Sequence, residues 1–198
     1  MSYNIEIYED PLKLSDREFE QHLLSLPYER RAKVLSYRNK IDRHLSLLAY
    51  VLLRRGLYKW YGISQNEHLR FEYNQNEKPS LVDYSHIHFN ISHCHEAVVC
   101  VFSSRPIGVD VEGLIDYDSD LLHRVANSKE RDTIVNAKDS IIEFTILWTK
   151  KESGLKMTGI GLVDDLHTVL DEKSEINSRF TSTYSQDEKY VLSVCESL

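Results

Sequence analysis

Residues 107–112 read Ile-Gly-Val-Asp-Val-Glu, an apolar, β-branched run that carries two acids two positions apart. Such a run predicts a strand, and side chains at i and i+2 of a strand project to one face. Asp110 and Glu112 are therefore expected to stand side by side. Further along, residues 148–156 read Trp-Thr-Lys-Lys-Glu-Ser-Gly-Leu-Lys. Their spacing is helical, and Trp148, Glu152 and Lys156 fall at i, i+4 and i+8 on one stripe. Three carboxylates from two elements, beside a lysine, suit a hard divalent cation and a phosphate. Mg²⁺ takes oxygen ligands, commonly one or two carboxylates completed by phosphates and waters. Each segment alone also has an ordinary reading. Two acids on a strand make a common solvated face, and Glu152 with Lys156 make an i,i+4 surface pair worth about 0.2–0.5 kcal/mol. A third segment, Phe89-Asn90-Ile91-Ser92-His93, shifts the balance toward function. It lies just before an apolar strand at Ala97 to Phe102.

The rest of the chain alternates helical and strand patterns. Tyr3 to Tyr8 reads as a strand. Ser15 to Leu26 reads as a helix opened by a capping box, with Ser15 at the N-cap and Glu18 three residues on. Tyr28 to Arg38 continues as a helix after Pro27. Asp42 to Trp60 is the strongest helix, with Leu45, Leu48, Ala49, Leu52 and Leu53 on its apolar face and Gly62 at its end. Leu69 to Tyr73 and Ile87 to Ile91 are short strands, and Ala97 to Phe102 with Ile107 to Val111 read as a hairpin around Ser103 to Pro106. Helices follow at Asp118 to Val125, Ser128 to Val135 and Ser140 to Met157. Leu166 to Leu170, Arg179 to Tyr184 and Tyr190 to Cys195 read as closing strands. One echo stands out: Gly56-Leu57 precedes Gly62-Ile63 at the end of the first long helix, and Gly154-Leu155 precedes Gly159-Ile160 at the end of the second. Two helix-plus-sheet halves meeting near Ser103 to Pro106 account for it.

Composition narrows the function classes. A chain of 198 residues forms one large domain or two small ones. No stretch of eighteen apolar residues occurs, so no membrane span is expected. The N-terminus is acidic and lacks the basic start and apolar core of a signal peptide. Cys94, Cys100 and Cys195 show no paired metal spacing, and free thiols in a reducing cytoplasm are expected. Cys94 adjoins His93, but no acyl-transfer constellation surrounds it. A net charge of −7 argues against broad nucleic-acid binding. Against that background, Pro27 to Lys59 holds nine basic residues and two acids. Such local charge suggests an anionic ligand or an acidic partner, and a solvated basic helix face is the alternative.

Taken in order, Lys78-Pro79, Phe89 to His93, Ile107 to Glu112 and Trp148-x-x-Lys-Glu-Ser-x-x-Lys156 resemble the 4′-phosphopantetheinyl transferase superfamily, specifically its surfactin-type branch. Order and intervals both match, and the resemblance runs from about Pro27 to about Leu170. A lone Gly-x-Asp-x-Glu is a weak signal, whereas four motifs in sequence are specific. The resemblance implies an α+β fold of two pseudo-twofold halves, residues 1–103 and 104–198, with the active site in the cleft between them. It implies transfer of the phosphopantetheine arm of coenzyme A to a serine of an apo acyl or peptidyl carrier protein, leaving adenosine 3′,5′-bisphosphate. The carrier would serve fatty-acid, polyketide or nonribosomal-peptide synthesis, and the enzyme would be a cytoplasmic monomer.

Residue by residue, Asp110 and Glu112 match the family's metal-binding acids for Mg²⁺. Glu152 matches its third acid, a ligand and the candidate general base, acting directly or through a metal-bound water. Lys156 matches the catalytic lysine on the phosphates. Ser92 and His93 match contacts to coenzyme A, Lys78 matches the lysine at the nucleotide end, and Arg30 and Lys33 lie near the basic positions for the 3′-phosphate. Trp148 is expected to pack in the core. Three features depart from the pattern. Glu77 stands where the family often has glycine before Lys-Pro. Leu45 stands where many relatives have arginine, with Arg43 or His44 in the same turn as replacements. The chain is also shorter than many relatives after Leu170. The same acids would serve two other readings, a Mg²⁺-dependent phosphohydrolase or nuclease and an inactive carrier-binding relative, but loss of a metal acid would mark the latter and all three are present.

Overall fold

A computed structural model describes residues 3–161, 166–170 and 178–198. The first half starts with β1 (Asn4–Glu9) and a short 3-10 turn, then three helices, α1 (Asp16–Ser25), α2 (Tyr28–Ser36) and α3 (Lys40–Tyr61). The hairpin β2 (Phe71–Tyr73) and β3 (Pro79–Leu81) follows, then β4 (His88–His93) and β5 (Ala97–Ser103). The second half comprises β6 (Ile107–Gly113), α4 (Ser119–Val125), α5 (Ser128–Val135), α6 (Ser140–Thr158), β7 (Ser178–Tyr184) and β8 (Tyr190–Ser197). Each half carries a three-stranded antiparallel sheet, in the orders β1-β5-β4 and β6-β8-β7. α3 lies on β1 and β5, and α6 lies on β6 and β8. The α+β class and the two-half arrangement are those expected. Among the described residues, no helix is long and apolar enough to cross a membrane.

Local chemistry sets most element ends. The Ser15 hydroxyl accepts from Glu18 N, and the Glu18 carboxylate accepts from Ser15 N, so α1 opens on the expected capping box. α3 ends at Gly62 (φ 68°) and α6 at Gly159 (φ 72°). Both are left-handed caps that glycine adopts without strain, which accounts for the repeat seen at the two helix ends. Leu45, Leu48, Ala49, Leu52 and Leu53 are all buried, as their spacing on α3 requires.

The strands explain how two halves become one body. Strand β5 is buried on both faces. Its Val98, Cys100 and Phe102 join the core beneath α3, whereas Ala97, Val99 and Val101 pack on Ile107, Val109 and Val111 of β6 and on Tyr190, Leu192 and Val194 of β8. The period-2 alternation of strands thus builds a core shared by both sheets. The alternate residues of β6, namely Gly108, Asp110 and Glu112, take the opposite face, toward α6. A Cβ at Gly108 would lie 2.1 Å from Ser153 O and 2.3 Å from Met157 N. Only glycine lets the backbone of α6 rest directly on β6.

Two expectations change. Ala97–Ser103 and Ile107–Gly113 do not form a hairpin. β5 pairs with β1 and β4, and β6 pairs with β8. The short connection is instead a corner between sheets. Ser103 Oγ donates to Glu196 Oε1 at 2.5 Å, Arg105 reaches Glu196 Oε2 at 3.2 Å, and Ser197 N donates to Pro106 O. Apolar alternation cannot distinguish stacking face to face from pairing edge to edge. Residues Leu166 to Leu170 form turns rather than a strand. Leu166 and Val169 point into the core around Phe144 and Leu155, where the three-residue spacing of a turn serves better than alternation.

The Leu166 carbonyl also serves a buried lysine. Lys151 of α6 has no solvent exposure. Its ammonium donates to Val125 O at 2.7 Å, to Glu130 Oε2 at 2.7 Å and to Leu166 O at 2.9 Å. It ties the site helix to the end of α4, to α5 and to the turn beyond. Removing one partner of a buried ion pair costs about 3–5 kcal/mol. Lys151→Met is expected to lower the urea-unfolding free energy by about 3 kcal/mol; a loss below about 1 kcal/mol would show that the lysine does not hold these elements together.

Candidate active site between the two halves

The acid face of β6 meets α6 where Gly108 brings them together. Asp110 is only 2% exposed. Its Oδ1 accepts from Lys156 Nζ at 2.6 Å and from Ser92 Oγ at 3.0 Å. Lys156 Nζ also donates to Ser92 Oγ at 3.0 Å. The Ser92 hydroxyl further accepts from Val111 N at 3.3 Å, so its one donation and two acceptances are all in use. A strand of each sheet and a helix thus converge on one ion pair. The other oxygen of Asp110, Oδ2, is buried without a hydrogen-bond partner among the described residues. Such an oxygen is the kind of donor a cation completes.

Glu112 and Glu152 flank this pair within electrostatic reach. Loss of solvent pushes the Glu112 pKa up to about 7, with the Asp110 charge as the second cause and Lys156 opposing. Glu152, 8% exposed, is raised for the same reasons, burial first and Asp110 second. Desolvated carboxylates that raise one another are a site short of positive charge. As placed, no three His, Cys, Asp or Glu side chains among the described residues form a ready-made ligand set. The donors on offer fit a cation that takes carboxylate oxygens from this cluster and completes its shell with water and phosphate oxygens.

His93 ends β4. Loss of solvent around its ring lowers its pKa, and the Lys156 charge acts in the same direction. Asn90 donates no chemistry of its own, yet its Oδ1 accepts from Val109 N at 2.9 Å and it lines the cleft. With Ser92 it stitches the edge of β4 to β6 through side chains, where a ladder would use carbonyls. Sequence reasoning passed over Asn90, although a buried amide in a strand always needs a partner. It also passed over Asn74 and Asn76, whose Nδ2 atoms both donate to Gly159 O, at 3.0 and 2.9 Å. The signal was an asparagine-rich turn in front of Lys78-Pro79.

Lys78 lines the cleft but turns its ammonium to Met157 O at 2.8 Å and Ile107 O at 3.2 Å. Burial lowers its pKa to about 8. Arg30 and Lys33 line a second cavity of about 420 Å³, walled by Tyr50, Phe71, Tyr73 and Phe89. Arg30 is already engaged, since its Nη2 donates to Ser46 O at 2.8 Å and its guanidinium lies 5.1 Å from the centre of the Tyr50 ring. The cleft between the halves, about 670 Å³, is lined by Asn90, Glu152 and Lys156. Glu77, Pro79 and Ile91 border both cavities, so the two form one groove.

Most of the basic segment at 27–59 serves the fold. Arg54 donates to the carbonyls of Ser64, Gln65 and Glu67, Arg55 and Lys59 pair with Glu6, and Lys40 pairs with Asp16. Neither proposed replacement for an arginine at position 45 reaches the groove freely. His44 is buried against Pro11 O and Phe19, and Arg43 donates to Tyr37 O. Trp148 packs beside Phe144, as expected. Burial pushes the Cys94 thiol up to about 12, which disqualifies it as a nucleophile.

Two family models divide the chain between them. Residues 106–195 match the 4′-phosphopantetheinyl transferase superfamily, and residues 13–105 match the N-terminal region of 4′-phosphopantetheinyl transferase. Over 195 residues the chain is 30% identical to the 4′-phosphopantetheinyl transferase Sfp of Bacillus subtilis (strain 168), covering 92% of this chain and 87% of that protein. It is 32% identical over 170 residues to the 4′-phosphopantetheinyl transferase gsp of Aneurinibacillus migulanus, covering 85% and 69%. It is 28% identical over 176 residues to the L-aminoadipate-semialdehyde dehydrogenase-phosphopantetheinyl transferase of Saccharomyces cerevisiae, covering 83% and 64%.

The raised Glu112 pKa makes a prediction about stability. A glutamate in the unfolded chain titrates near 4.5, and Glu112 in the folded protein near 7. Between those values the folded state holds the extra proton, so its stability falls as pH rises through that window. With chelator present, this group should make the protein less stable at pH 7.5 than at pH 5 by about 2 kcal/mol, after allowance for partial solvation. Urea unfolding of Glu112→Gln should show a correspondingly flatter pH dependence, and an unchanged slope would contradict the assignment.

Proposed function

Because the chain belongs to the 4′-phosphopantetheinyl transferase superfamily, we propose that it transfers the phosphopantetheine arm of coenzyme A to a serine of an apo carrier protein. The observation that carries this reading is the meeting of Asp110, Ser92 and Lys156 in one hydrogen-bonded knot, flanked by Glu112 and Glu152, with Lys156 and Glu152 lining the groove. The bond that forms joins the carrier serine Oγ to the phosphorus bearing pantetheine. The bond that breaks joins that phosphorus to the bridging oxygen, which leaves on adenosine 3′,5′-bisphosphate. The hydroxyl proton passes to Glu152, directly or through one water.

The chain's own groups have distinct parts in this. Glu152 is buried and its pKa is raised, which moves its basicity toward the working pH. Lys156 holds a fixed positive charge beside Asp110 and can follow the leaving phosphate without leaving the knot. Ser92 orients both. Asp110 through Oδ2, with Glu112 and Glu152, would hold a divalent cation, which we assign as Mg²⁺. When bound, that ion supplies charge that neutralises the pyrophosphate. His93, Lys33 and Arg30 would contact the nucleotide end, with Arg30 held in place by Ser46 and Tyr50. Lys78 acts on the site by bracing the end of α6 rather than by a free ammonium. We place the protein in the cytoplasm, where its three free cysteines remain reduced.

Incubation with an apo carrier protein, coenzyme A and Mg²⁺ is expected to add one phosphopantetheine to the carrier by mass spectrometry, with no addition in EDTA. Carriers of several types that all stay unmodified under saturating coenzyme A would refute the transferase reading. Asp110→Asn keeps the shape of the knot and removes its charge. It should lower kcat by about 10²–10³, with circular dichroism unchanged; a near-normal rate would take Asp110 out of the site.

A further inference from the structure

The transfer machinery leaves Glu77, an acid bordering both cavities of the groove, unused. Glu77 lies in the five-residue turn between β2 and β3 with φ of +61°. An L side chain is strained in that conformation and glycine is not. The turn is held firmly. Glu77 N donates to Asn74 O at 3.0 Å, and Asn74, Asn76 and Lys78 all bind carbonyls at the end of α6. The backbone therefore presents Glu77 in a set direction. Its side chain is exposed, and among the described residues it makes no hydrogen bond or ion pair. It borders both the reaction cleft and the aromatic cavity.

We propose that Glu77 is a specificity-determining residue, which disfavours a phosphate on the donor's ribose and narrows the preference for coenzyme A over 3′-dephospho-coenzyme A. The inference rests on the transferase reading above. With the pyrophosphate at Lys156 and the nucleotide end toward Arg30 and Lys33, as proposed above, the nucleotide would cross the seam formed by Glu77, Pro79 and Ile91. The charges lining the aromatic cavity nearly cancel, Arg30 and Lys33 standing against Glu29 and Glu77. Arg30 is turned to Ser46 and Tyr50. The remaining walls, Tyr50, Phe71, Tyr73 and Phe89, suit a flat uncharged ring better than a dianion. A phosphate monoester carries about −1.5 to −2 charges at neutral pH. One carboxylate at the seam therefore opposes it without touching the ring, and salt screens the effect.

Calorimetric titration of the Mg²⁺-loaded protein with coenzyme A and with 3′-dephospho-coenzyme A tests this. Glu77→Gln should tighten coenzyme A about three- to tenfold at low salt and shift the dephospho form less than about twofold, with the difference shrinking at high salt. Glu77→Gly should show the same selective gain, because it removes the charge at a position where glycine is unstrained. Equal shifts for both ligands, or no shift for either, would overturn the proposal. A wild-type protein that binds neither ligand would overturn the transferase reading and this inference with it.

Discussion

The ion pair between Asp110 and Lys156 is the contact through which the rest of the site is arranged. It joins a strand, a helix and, through Ser92, the edge of the neighbouring sheet. A buried pair of this kind is costly to desolvate and stabilises only when its geometry is complete. The fold completes it with one residue that looks minor. Gly108 has no side chain, so α6 rests on the backbone of β6 and delivers Glu152 and Lys156 to Asp110 and Glu112. A methyl group there would clash with backbone rather than with a flexible chain end, and the helix would have to lift.

The shared core keeps that arrangement from shifting. Strand β5 is apolar on both faces because it serves two cores, one under α3 and one against β6 and β8. Besides the core of each half, the halves thus share a third cluster between β5, β6 and β8. The turn of the first half adds a polar brace from the other side, with Asn74, Asn76 and Lys78 all bound to carbonyls at the end of α6. Burial lowers the pKa of Lys78, yet two carbonyls favour its charged form. Its hydrogen bonds tie the turn to the end of the helix that carries Glu152 and Lys156.

Charge is distributed by the same logic. The segment at 27–59 looks like an anion-binding patch in sequence, but its arginines and lysines largely satisfy carbonyls and acids of the first half. Long side chains that reach loop carbonyls replace the missing secondary structure of the connection after α3. What remains facing the groove is close to neutral, apart from Lys156 and the acids opposite it.

Much of this protein was legible in its residues. Period-2 alternation at 107–112 put Asp110 and Glu112 on one face, period-3.6 spacing put Glu152 and Lys156 one turn apart, and Ser15 with Glu18 marked the start of α1. These are local properties, set by backbone geometry within a few residues. That β5 and β6 stack rather than pair was not legible, because two apolar strands joined by a short corner satisfy the same alternation either way. Nor was the fate of Lys78, Lys151 and Arg30, three cations of similar appearance in sequence. One braces a helix end, one is fully buried among carbonyls, and one lies on a tyrosine ring. The partner that Lys78 finds lies 79 positions away. Only the packing of the two halves brings those partners within reach.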